Sequence, residues 1–135
     1  MTELVLDASV VIKWFHTERE PNVDPARALR AQFEGGELTV LVPPLLCLEI
    51  VNVAGRRWAW DEGALVELAT GLEALGFEVI EPELRRTASW TARGLTAYDA
   101  VYVALAEATE TRLVTDDSAL ADIAGEIALP LADVR

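Results

Sequence analysis

The stretch LTAYDAVYVALAEATETRLVTDD, Leu95 to Asp117, decides how the chain is read. Apolar residues recur through its first half at helical spacing, and TRLVT reads as a short strand. The helix carries a carboxylate. Asp99 is four residues from Val103 and seven from Ala106, so helical geometry stacks it on the face turned to the core. Such a group costs several kcal/mol unless something positive meets it. Two more acids, Asp116 and Asp117, follow the strand.

Working outward, the same helix–strand alternation recurs. TELVLDAS opens with an apolar run of the buried, parallel type ending at Asp7. VVIKWFH then begins a helix with Ser9 near its cap. TEREPNVD is a polar loop. DPARALRAQFEGG carries helix punctuation, with Asp24 as N-cap, Pro25 at the first position and Gly35-Gly36 at the stop. LTVLVPP is a second strand and LLCLEIVNVAGRRWAW a second long helix. Asp61 caps another, running to Leu75 and closed by Gly76. FEVIEP is a third strand, ELRRTASWTAR a helix ended by Gly94, and Thr96 caps the helix of the opening stretch. SALADIAG is a short helix and EIALPL an edge strand. The βαβα order predicts a three-layer α/β/α sandwich around a mostly parallel sheet of four to five strands. No repeat or linker interrupts residues 1–135, which read as one domain.

Composition narrows the classes. The 135 residues are 52% hydrophobic and 25% charged, in the range of compact folded chains. No apolar run approaches the roughly 18 residues of a membrane span. Glu3 and Asp7 interrupt the N-terminal apolar segment, against a secretory signal. The single Cys47 has no internal disulfide partner, which fits a cytoplasmic setting. The net charge is −12 and Lys13 is the only lysine. That balance argues against a broad basic surface for nucleic acid. It suits a basic protein partner or a divalent metal.

In open parallel sheets, ligands bind beyond the carboxyl ends of the strands. Asp7 stands at the first such end, and Asp116 and Asp117 follow the fourth strand. Glu49 lies in the helix after the second strand with Asn52 three residues on, and Asp99 one turn into the helix before the fourth. Acids crowded together raise one another's pKa. A hard divalent cation relieves that, and Mg2+ or Mn2+ prefers oxygen. With one His and one Cys there is no zinc set. The answer expected at Asp99 is therefore a metal ion.

The set LVLDASVVIKWF, PPLLCLEIVN, LTAYDAVYVALAE and LVTDD resembles the PIN-domain ribonucleases, specifically VapC-type toxins of toxin–antitoxin pairs. The four motifs stand in family order and spacing across nearly the whole chain. The resemblance implies a metal-dependent endoribonuclease whose acid quartet is Asp7, Glu49, Asp99 and Asp117. Asp7, Asp99 and Asp117 would bind one or two Mg2+ or Mn2+ ions, with Glu49 as a ligand or as the orienter of a bound water. Asp116, where family members often carry a small or uncharged residue, is a further candidate to share the metal or merely to cap. Ser9, Asn52 and Thr115 fall where the family has supporting polar side chains. The resemblance also implies a cytoplasmic homodimer and a VapB-type antitoxin whose basic tail enters the acidic pocket.

Plainer readings stand beside these. Alone, Asp7 reads as a turn or cap residue, Asp117 as the N-cap of SALADIAG, and Ser9 as a helix cap. Asn52 fits a buried, satisfied amide. Arg56 and Arg57 fit either phosphate contact or the dipole at their helix end. Trp14, Trp58, Trp60 and Trp90 fit packing, Tyr98 and Tyr102 core or interface, and His16 a solvated loop. A receiver domain would need a late lysine, and a phosphatase with an Asp nucleophile would want Asp where Ser9 stands. The remaining alternative is a catalytically weak PIN domain serving as a protein- or RNA-binding scaffold.

Overall fold

A computed structural model describes residues 2–135. Five strands form one parallel sheet: β1 (Thr2–Leu6), β2 (Leu38–Val42), β3 (Glu78–Val79), β4 (Arg112–Thr115) and β5 (Ala128–Pro130). Their spatial order is β3-β2-β1-β4-β5. The chain winds outward from β1 through β2 to β3, then returns past β1 to lay down β4 and β5. With right-handed crossovers, that reversal puts connecting helices on both faces. They are α1 (Ala8–Val11), α2 (Val23–Glu34), α3 (Leu45–Arg56), α4 (Glu62–Ala74), α5 (Leu84–Ala92), α6 (Ala97–Ala108) and α7 (Ser118–Ala124). The α/β/α sandwich is as expected, with every strand pair parallel.

The core explains why the strands read as continuous apolar runs. Val5, Leu6, Val40, Leu41, Val42, Leu113 and Val114 are buried between layers, and Val103 and Ala106 of α6 pack with them. Trp14 is buried against Phe33 and Phe77, and its indole N–H donates to the Ala26 carbonyl at 2.9 Å. Among the described residues, no helix is long and apolar enough to cross a membrane.

Most helix punctuation holds. The Asp61 carboxylate accepts from the Ala64 N–H, and the Thr96 hydroxyl from the Asp99 N–H. Gly76 ends the α4 turn at φ +85°, a conformation that L side chains rarely adopt. Two starts differ. Asp7, not Ser9, is the N-cap of α1, because its side chain already reaches the Ser9 N–H. Helix α2 begins at Val23 after Asn22, so Asp24 and Pro25 lie inside its first turn, where a missing N–H still costs nothing. Strand β3 is shorter than FEVIEP predicts, since only Glu78 and Val79 pair, and with β2 alone.

Candidate functional site

The reversal of winding makes β1 and β4 neighbours whose onward connections diverge, opening a crevice at their carboxyl ends. Asp7 is the first residue beyond β1 and is only 5% exposed. Its Oδ1 accepts from the Ser9 N–H at 3.1 Å and the Ser9 hydroxyl at 2.5 Å. Its Oδ2 accepts from the Thr115 hydroxyl at 2.5 Å. Both hydroxyls also accept: Ser9 Oγ from the Asp116 N–H at 2.9 Å, Thr115 Oγ1 from the Asp117 N–H at 3.1 Å. A hydroxyl serves as donor and acceptor at once. Ser9 and Thr115 therefore fasten the turn after β4 to the end of β1 through the Asp7 carboxylate.

Burial dominates the electrostatics of Asp7. It pushes the pKa up from 3.8 to about 6, against the hydrogen bonds from Ser9 and Thr115, and the charge of Glu49 adds to the rise. Glu49 is half-buried on α3, and its Oε1 accepts from the Tyr102 phenol at 2.5 Å. Burial lifts the Glu49 pKa, the Tyr102 hydrogen bond holds it down, and the charge of Asp99 lifts it again. Asp99, capped into α6 by Thr96, is likewise raised by burial and then by the charge of Asp117. Repulsion thus runs in series from Asp7 to Glu49, Asp99 and Asp117.

Among the described residues no cation relieves it, since none of these four acids is in an ion pair. Nor do three of them stand close enough to make a finished cage of protein ligands for a metal. That spacing still suits magnesium, which keeps several waters and takes one or two carboxylates directly. Donor chemistry and unrelieved charge fit a hydrated hard cation.

The two adjacent aspartates part company. Both oxygens of Asp116 are engaged away from the series, Oδ1 by the Asn22 amide at 2.8 Å and Oδ2 by Lys13 Nζ at 3.1 Å. Asp117 is exposed; one of its oxygens accepts from the Leu120 N–H as N-cap of α7. Beside them lies a cleft of about 310 Å3 bordered by Ser9, Lys13, Glu20, Arg57, Asp116 and Asp117. Arg56 and Arg57 are both exposed, and of the two Arg57 borders that cleft. Asn52 is exposed as well, so it is no buried amide. It lines a shallow apolar groove with Leu45, Leu48, Glu49 and Tyr98.

Tyr102 escapes sequence reasoning as a partner of Glu49. Its spacing of three from Asp99 places it on the same helical face, yet nothing local says that Glu49 lies opposite. His16, expected in a solvated loop, is half-buried and stacked on Trp58 at 4.1 Å. The exposed apolar side chains beside the site are Leu48 and Tyr98, while Trp58 and Trp60 pack on the core.

The sequence matches the family model for the PIN domain over residues 4–126. Among solved structures, PAE2754 from Pyrobaculum aerophilum is similar, with a TM-score of 0.69 and 21% identity over 97% of this chain and 90% of that one. FitAB bound to an IR36 DNA fragment is also similar, with a TM-score of 0.57 and 15% identity over 95% and 94%. These likenesses show the fold. No curated protein matches the sequence.

Proposed function

Since this chain belongs to the PIN-domain family, we propose that it is a metal-dependent endoribonuclease of the VapC type, the toxin of a toxin–antitoxin pair. One observation carries the reading: Asp7, buried at the end of β1, feels the charge of Glu49, Glu49 that of Asp99 and Asp99 that of Asp117, and among the described residues none of these four acids is in an ion pair.

Asp7, Asp99 and Asp117 would hold one or two Mg2+ or Mn2+ ions, with Glu49 as ligand or water orienter. An ion held by these residues would supply a lowered pKa for bound water and screening of the phosphodiester's charge. The chain's own groups do the rest. Glu49, lifted by burial, accepts the proton of the attacking water, and Tyr102 fixes which of its oxygens stays free. Ser9 and Thr115 keep Asp7 in one orientation. Asn52 borders the groove beside Glu49, and Arg57, at the edge of the cleft, meets a flanking phosphate; Arg56 stands further out. Attack at phosphorus breaks the P–O3′ bond and leaves a 5′-phosphate and a 3′-hydroxyl.

The net charge of −12, and acids that are in no ion pair among the described residues, suit an antitoxin whose basic segment enters the pocket. Leu48 and Tyr98, exposed beside Glu49, suit a homodimer face. Cytoplasmic residence follows from the proposed RNA substrate.

The test is cleavage of total cellular RNA by purified protein in Mg2+ or Mn2+ against chelator, for wild type, Asp7→Asn and Asp99→Asn. Discrete fragments with metal, lost in both variants, are the expected result. Intact RNA with folded, metal-loaded wild type refutes the nuclease and leaves the scaffold reading.

A further inference from the structure

Lys13, the chain's only lysine, is 2% exposed. A desolvated ammonium needs close acceptors, and this one has two: Glu20 Oε2 at 2.9 Å and Asp116 Oδ2 at 3.1 Å. Asp116 is then held at both carboxylate oxygens and at its N–H. Its Oδ1 accepts from Asn22 Nδ2 at 2.8 Å, and its N–H donates to Ser9 Oγ at 2.9 Å.

Asn22 is informative in its own right. It precedes α2 but its side chain makes no capping hydrogen bond to it, and it sits in the left-handed region at φ +54°. Asn tolerates that conformation better than most residues. Its amide is spent instead on a carboxylate 94 positions away. Two loops, one before α2 and one after β4, are therefore tied together around Asp116. Asp117 takes no part in that tie. It is extended at φ −90° and ψ +107°, so its side chain diverges from that of Asp116. Its charge is the one that acts on Asp99.

We infer that Lys13 is a positioning residue: together with Asn22 it holds Asp116 out of the acid series, so that Asp117 is the carboxylate presented beside Asp99. The inference rests on the metal-site reading above and extends it by saying which of two adjacent aspartates serves, and what sorts them. Removing the ammonium frees a second carboxylate next to Asp117, which competes for the cation and displaces its proper ligand.

The experiment uses the full chain and Mn2+ as probe. Binding is followed by calorimetry and Mn2+ electron paramagnetic resonance, folding by circular dichroism, and turnover on cleaved RNA. Asp117→Asn is expected to weaken Mn2+ binding about tenfold or more, whereas Asp116→Asn leaves it within about twofold of wild type. Lys13→Met is expected to retain Mn2+ with an altered resonance spectrum while kcat falls about tenfold and KM holds. Lys13→Arg, or Asp116→Asn added to Lys13→Met, restores both. If Lys13→Met does not fold, Asn22→Gly, which keeps the left-handed backbone easy, takes its place.

Equal weakening by Asp116→Asn and Asp117→Asn overturns the inference alone, because Asp116 is then itself a ligand. So does a folded Lys13→Met with wild-type spectrum and kcat, which makes Lys13 a pin of the fold only. Wild type that binds no Mn2+ overturns the metal reading as well, and it is recognised by all variants behaving alike.

Discussion

Replacing Asp7 with Asn tests the electrostatic account of the crevice most directly. The native state holds the Asp7 proton more tightly than the unfolded chain does, with a pKa near 6 against 3.8. Between those values the native state binds more protons, so stability falls as pH rises. The contribution is fully present below 3.8 and gone above about 6. The difference corresponds to about 3 kcal/mol held against the folded protein once Asp7 is ionised. Asn cannot ionise and escapes that penalty. It also replaces Oδ2, the acceptor for the Thr115 hydroxyl, with an amide nitrogen, a loss of about 1 kcal/mol. In chelator, Asp7→Asn should therefore be less stable than wild type by about 1 kcal/mol at pH 3 and more stable by about 2 kcal/mol at pH 8. Urea unfolding at a series of pH values reads this change of sign. Mn2+ at about a hundred times its dissociation constant should return roughly 2.7 kcal/mol to wild type and little to the variant. A stability difference that stays constant across pH refutes the reasoning, since it leaves no buried carboxylate to titrate.

Thr115→Val removes one donor to Asp7 and strands the Asp117 N–H, so it should cost about 1–3 kcal/mol and push the Asp7 titration higher; urea unfolding against pH checks both. Tyr102→Phe should cost about 1 kcal/mol and raise the Glu49 pKa, moving the acid limb of the kcat/KM profile to higher pH; an unmoved limb excludes Glu49 as the base. Leu48→Glu changes an exposed side chain and should alter monomer stability by less than about 0.5 kcal/mol. Sedimentation velocity should find wild type as a dimer and this variant as a monomer, and a monomeric wild type removes the proposed interface.

Residues close in sequence spoke clearly. Period and punctuation placed the helices, and the caps at Asp61, Thr96 and Asp117 were legible because a cap reaches only two or three residues ahead. Asn22 was not, since its conformation answers to Asp116 rather than to the helix that follows it. Ser9 was legible as a residue near a cap, but its tie to the turn after β4 was not.

By itself, then, the amino-acid sequence determined an alternating parallel α/β chain with acids at its strand ends, because burial on both faces and helix capping are local patterns of residue type. Only the tertiary structure decided what those acids meet. The order β3-β2-β1-β4-β5 sets Asp7 against Thr115 across 108 residues, brings the Tyr102 phenol to Glu49, and turns Asp116 toward Lys13 while leaving Asp117 free of that tie. The physical reason is that a carboxylate's pKa and orientation depend on burial and on the few donors and charges within reach. Those neighbours come from elements adjacent in the sheet and remote along the chain.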